Sequence, residues 1–270
     1  MRYKNNIIII TLMAFGIWAL PSLLADSDRA SPVIDLEQLS VSGSFGFESQ
    51  HVFRGKQFAW QSFQPGVELS YPVAGGEVYT GVWSNQQLDN KNAAGVPGGR
   101  TEVDFYAGYI YPITDTFSLD AGFTYYLFTN QPNALQRSSQ SRELYVGLTA
   151  DVLLSPSVYV YYDFDQSQTV VEASIGYTLH LDQYADIVAG LRLEATAYAG
   201  TLSANRYLGV QGAKNGYNYA GASLDIVYDI NENLSTYAGI RGAVNNDGST
   251  MNQGGREVNI WYGVGLAYAF

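Results

Sequence analysis

The chain has 270 residues, with Lys+Arg 14 against Asp+Glu 25, a formal net charge of -11, and no cysteine. The acidic balance excludes a broad basic surface for nucleic acid, and the missing thiols exclude disulfides, thiolate zinc sites and a lipid-modified amino terminus. Aromatic residues reach 14%, as many as the charged ones, 22 of them Tyr, which excludes a disordered chain. A mean hydropathy of -0.07 is too polar for a bundle of membrane helices.

At the start, Arg2 and Lys4 precede an apolar run from Ile7 to Leu20 broken only by Thr11 and Gly16, and Pro21, Ser22 and Ala25 follow. Basic start, apolar run and small residues predict a secretory signal peptide over 1–25, cleaved after Ala25. Residues 26–38 are then a short periplasmic segment and 39–270 a single barrel domain.

From residue 39 onward apolar residues recur with period two. The alternation predicts strands over 39–50, 62–73, 77–86, 101–113, 117–129, 142–154, 157–165, 170–181, 186–199, 217–230, 234–245 and 256–270. These are long for soluble strands and suit the ~9–11 residues that a tilted strand needs to cross a bilayer. Tight links (74–76, 114–116, 155–157, 182–185, 231–233) alternate with longer ones (51–61, 87–100, 130–141, 201–216, 246–255), and only 166–169 is short where a long link is expected. Short periplasmic turns and long external loops mark a transmembrane barrel. The predicted class is therefore all-β: one antiparallel up-and-down barrel of about 12 strands. At ~4.8 Å strand spacing and ~40° tilt its backbone radius is about 12 Å, which leaves a narrow lumen.

Parity assigns the faces. Leu144, Val146 and Leu148 fall on one side of their strand, Glu143, Tyr145 and Gly147 on the other. With the apolar side toward lipid, the predicted pore lining is Glu48, Glu68, Glu102, Asp104, Asp120, Glu143, Asp151, Asp163, Asp165, Glu172, Arg192, Glu194, Asp225 and Arg241, joined by Glu77, Asp229 and Glu257. Few inward cations oppose these acids, so a water-filled, cation-preferring lumen is expected. The inner face also repeats Tyr-x-Gly: Tyr79–Gly81, Tyr106–Gly108, Tyr145–Gly147, Tyr219–Gly221 and Tyr237–Gly239. These glycines, with Gly46, Gly66, Gly122, Gly176, Gly190 and Gly263, are expected to be notches over which Tyr rings lie flat.

The last strand alternates through Val258, Ile260, Tyr262, Val264, Leu266, Tyr268 and Phe270. Its end, Tyr268 and Phe270, resembles the carboxy-terminal signal read by the assembly machinery of Gram-negative outer membranes. Residues 49–55, Ser-Gln-His-Val-Phe-Arg-Gly, resemble the Ser-x-Tyr-x-Phe-Arg-Gly opening of the TorF porin family, with His51 in place of Tyr. Phe63–Gly66, Tyr79–Asn85, Glu102–Gly108 and Glu143–Gly147 resemble later segments of that family, in order. The resemblance covers roughly 40–150 and implies an outer-membrane barrel.

Nine of the twelve basic residues left after cleavage fall in or beside the predicted external loops: Arg54, Lys56, Lys91, Arg100, Arg137, Arg142, Arg206, Lys214 and Arg256. Lipopolysaccharide phosphates are the expected partners, beside outer-membrane lipid. A Ser–His hydrolase would have to use rim His51 with Ser49 or Ser62, and no G-x-S-x-G occurs. Asn245–Gly248 lacks the spaced carboxylates of a calcium loop. No enzyme activity, cofactor or metal is expected. The expected function is passive diffusion of small hydrophilic solutes. The alternatives are a structural or adhesion barrel plugged by side chains and, remotely, a His51 hydrolase.

Overall fold

The computed structural model describes residues 35–89, 101–129, 140–181, 189–204, 216–247 and 258–270. The predicted signal peptide, most of the external loops and Glu257 lie outside them, as do Arg29, Lys91, Arg100, Arg137, Arg206, Lys214 and Arg256. After a 3-10 turn at Leu36–Gln38, fourteen strands follow: β1 (Ser40–Glu48), β2 (His51–Phe53), β3 (Lys56–Ala59), β4 (Ser62–Val73), β5 (Gly76–Gln87), β6 (Thr101–Pro112), β7 (Phe117–Thr129), β8 (Gln140–Ala150), β9 (Ser157–Asp163), β10 (Gln168–His180), β11 (Leu191–Ala204), β12 (Tyr217–Asp229), β13 (Leu234–Asn245) and β14 (Val258–Ala269).

Twelve of them close an antiparallel barrel in sequence order, with β4 beside β1 and β1 beside β14, while β2 and β3 form a separate hairpin. The predicted period-two segments are these twelve strands, shifted at some ends. The largest shift is in β11, expected over 186–199: Gly190 takes a left-handed φ of 77° and its carbonyl accepts from the Asp229 amide, so it belongs to the turn and not to the inner belt. Strand β8 stops at Ala150, and Leu154 and Ser155 turn the link that follows with φ of 72° and 35°. The link 151–156 is longer than expected, and Asp151 sits in it, exposed, rather than on the pore wall. Strand β9 ends at Asp163, which leaves Asp165 in the link 164–167.

Alternation sorts the side chains. Val67, Leu69, Leu144, Val146, Ile226, Ile240 and Ile260 stand exposed on the outside, while Tyr, Asp and Glu fill the inside. An apolar exterior around a polar interior inverts a water-soluble barrel and fits lipid contact. Closure runs from Ser42 opposite Ala269 to Glu48 opposite Gly263. Beyond it, Val41 and Phe270 exchange both backbone bonds, at 3.0 and 2.8 Å, although the Phe270 side chain is exposed. Deleting Phe270 removes this outermost pair and the end of the apolar stripe. The expected result is a lower yield of heat-modifiable, membrane-inserted barrel on gels; wild-type yield would show that the residue is dispensable.

Candidate functional site

The lumen is built from alternate residues of all twelve strands plus one insertion. The stretch 51–61, expected as an external loop, folds inward. Phe53 pairs with Lys56, and Arg54 and Gly55 between them both take positive φ, 48° and 75°, the geometry of a two-residue type I′ turn. Gly55 is required there: a Cβ would meet the Tyr219 Cβ at 2.7 Å and the Val244 carbonyl at 3.0 Å. His51, Arg54, Lys56, Gln57 and Ala59 are buried.

The tip of this hairpin bridges two walls. Its Gly55 carbonyl accepts from Asn245 Nδ2 at 2.8 Å and Asn259 Nδ2 at 3.2 Å, and the Arg54 carbonyl accepts from the Tyr217 hydroxyl at 3.1 Å. Lys56 pairs with Asp247 and lies 4.1 Å over the Tyr217 ring. On the other side Arg54 Nη1 and Nη2 donate to the two Glu143 carboxylate oxygens, each at 2.9 Å. In the barrel order β8, which carries Glu143, stands nearly half the circumference from β13 and β14. The Arg54 guanidinium is sandwiched by Phe53 and Tyr161, 4.6 and 4.8 Å from the ring centroids, and Tyr126 donates to Glu143 at 3.0 Å. A planar fork on a carboxylate between aromatic faces suits guanidinium better than ammonium.

Most predicted lining residues are on the inner face, and many are paired. Arg241 reaches Asp225 at 2.9 Å and Glu48 at 3.3 Å. Arg192 reaches Glu194 at 2.6 Å and also pairs with Asp229. Asp120 accepts from Tyr79 at 2.8 Å and Tyr159 at 2.9 Å, and Glu172 accepts from Tyr219 at 2.7 Å. Glu68 shares the inner face with Gln64 and Gly66. Asp163 accepts from Ser141 and from the backbone of Asp165 and Gln166, so it tethers the neighbouring link. Asp104 is fully buried, its carboxyl lies against that of Glu102, and no basic or amide donor of the described residues reaches either of its oxygens.

The tyrosine notches are present. A Cβ on Gly81 would strike Tyr106, on Gly108 Tyr79 and Tyr145, on Gly122 Tyr145, on Gly147 Tyr159, on Gly221 Tyr198, and on Gly46 Tyr237. Two glycines face acids instead, Gly239 against Asp225 and Gly263 against Glu48, while Gly176 is nearly open.

Of the basic residues expected to face lipopolysaccharide, Arg54 and Lys56 turn into the lumen. Arg142 donates to both carboxylate oxygens of Asp165, at 2.9 and 2.8 Å, which holds this link carboxyl below its ordinary pKa. His51 contacts Glu102 at 3.2 Å through Nε2 and Gln64 at 3.4 Å through Nδ1. Both ring nitrogens are thus engaged away from Ser49 and Ser62, which removes the basis of a Ser–His pair. No group of three or more His, Asp or Glu among the described residues could hold a metal ion. Parity alone did not reveal the hairpin's receptor residues, Tyr126, Tyr161, Tyr217, Asn245, Asp247 and Asn259.

No curated protein matches this chain. Solved structures with some likeness include the KdgM porin, at 16% identity and a TM-score of 0.48 over 85% of this chain and 99% of that one. LpxR from Salmonella typhimurium follows at 8% identity and TM-score 0.49 over 85% and 99%, and OprD from Pseudomonas aeruginosa at 13% and 0.40 over 87% and 67%. The family model described as a bacterial protein of unknown function, Gcw_chp, matches residues 36–238. That match runs from the turn before β1 into β13 and takes in both the inward hairpin and its Glu143 anchor, so the chain belongs to the Gcw_chp family.

Proposed function

We propose that this barrel is a non-enzymatic outer-membrane channel for passive diffusion of small hydrophilic solutes, with preference for cations. The observation that carries the reading is the charge of the inner face. Glu68, Glu102, Asp120 and Glu172 have no permanent cation bonded to them among the described residues, although Arg54 and Lys56 now join Arg192 and Arg241 inside. Unpaired carboxylates demand water, and a negative lumen concentrates cations. The TorF-like segments support the same reading, as does the apolar exterior. The apolar exterior of the strands also supports an outer-membrane location.

The inward hairpin favours a second reading, a barrel closed by its own 51–59 segment. Planar-bilayer recording across a salt gradient decides between them. The expected result is a small conductance whose reversal potential marks cation preference at neutral pH, fading near pH 4 as carboxylates take up protons. Absence of conductance at every voltage would establish the closed barrel, and anion preference would refute the charge assignment.

A further inference from the structure

The geometry points to a solute-binding site for guanidinium or primary ammonium groups in the lumen wall, which the chain's own Arg54 occupies as a tethered stand-in ligand. This deepens the channel reading by naming its substrate class, small cationic solutes bearing such groups. Three features of the Arg54 environment are those of a binding site rather than a surface ion pair. The guanidinium makes a two-pronged contact with Glu143, at 2.9 Å on both prongs. The wall supplies an aromatic face, Tyr161 at 4.8 Å, and a hydroxyl that orients the carboxylate, Tyr126 at 3.0 Å. Both partners are removed from water, Arg54 at 8% and Glu143 at 1% exposure.

The fourth feature is independent of Arg54. Asp104 stands opposite Tyr126 in the β6–β7 register, is completely enclosed, and its carboxyl lies against that of Glu102 with no basic or amide donor of the described residues on either oxygen. Two carboxyls held together in an enclosed wall with no cation between them suit an N–H donor. A free ligand with more N–H donors than the two Arg54 spends on Glu143 has a second acceptor waiting. Lys56 repeats the arrangement on the opposite wall, an ammonium on Asp247 over the Tyr217 ring. The hairpin itself is not part of the barrel ladder. Its hold on the β8 wall is the Arg54–Glu143 contact, for which an incoming cation competes, while the Gly55 carbonyl stays bonded to Asn245 and Asn259 on the other wall.

The test removes the stand-in and supplies its head group. Full-length wild type, Arg54→Ala and Arg54→Ala/Glu143→Gln are recorded in planar bilayers with millimolar methylguanidinium, or with tetramethylammonium, which has the same charge and no N–H. The expected result is a several-fold higher conductance for Arg54→Ala, brought back toward wild type by methylguanidinium alone. The double variant should need about tenfold more methylguanidinium or fail to respond, because a charge-assisted pair is lost. Equal effects of the two cations, or an undiminished response in the double variant, would overturn the site. If all three proteins are silent, the channel reading fails and the site is judged by melting in detergent. Methylguanidinium should then raise the Arg54→Ala midpoint and not that of the double variant; no difference overturns the site. Should Arg54→Ala not fold, Arg54→Gln carries the same comparison.

Discussion

Glu143→Leu should destabilise the barrel by about 3–5 kcal/mol in urea unfolding, the usual cost of removing one partner from a buried ion pair. Arg54 is then left in a site that water barely reaches, facing Phe53 and Tyr161 with no anion on its fork. The chain has one escape. Because β2 and β3 pair only with each other, the hairpin can leave the lumen and rehydrate Arg54, which caps the cost at the loss of its own contacts. Trypsin separates these responses. Cleavage after Arg54 or Lys56 should be absent in wild type and present in Glu143→Leu if the hairpin leaves. A variant as stable as wild type and equally resistant would show that the pair contributes nothing to holding the segment inside.

Gly108→Leu should cost about 1–3 kcal/mol, the overpacking range, with the upper end expected. Even the first added carbon would collide with the Tyr79 ring and hydroxyl and stand 2.8 Å from the Tyr145 hydroxyl. Tyr79 cannot yield freely, since its hydroxyl is bonded to Asp120 and touches that of Tyr145; moving it strips a buried carboxylate of a donor. Gly176→Ala is the matched control. It lies on the inner face of β10, and its added Cβ would meet only the Ala195 carbonyl, at 3.9 Å. Near-neutral urea midpoints for both would mean that the rings have slack; loss confined to Gly108→Leu supports a packed notch.

The strands were legible because a barrel wall repeats one rule: successive residues face the apolar exterior and the polar interior in turn, and period two records it directly. The tyrosine notches were legible for the same reason, since residues i and i+2 share a face and the ring covers its neighbour across one ladder step. The hairpin was not. His51 to Ala59 satisfy no wall rule, and the partners of Arg54 and Gly55 lie 89 to 204 residues along the chain. A basic loop segment reads as solvated, or as facing anionic lipid, until the receiving wall is known. The signal lay in the receiving residues: Asn245 and Asn259 are amides on inner faces, yet no local feature says which loop they serve. Asp163 and Asp165 show a smaller version of the problem, because parity runs on past a strand end while the backbone has already turned.

Strand β9 has seven residues between neighbours of eleven and thirteen. At about 3.4 Å per residue and ~40° tilt it covers roughly 18 Å of depth, short of the ~25 Å apolar band of such barrels. The missing rows are taken by the link 151–156, which presents Val152, Leu153 and Leu154 to the outside, Leu153 at 77% exposure, and takes over from β9 along β10 through a bond from the Gly176 amide to the Leu154 carbonyl at 2.8 Å. On this sector the barrel exterior therefore presents an oily, irregular knuckle instead of a regular wall. Acyl chains should pack around it differently from the rest of the circumference, giving the molecule a preferred flank for annular lipids and, in a crowded outer membrane, for side-by-side neighbours.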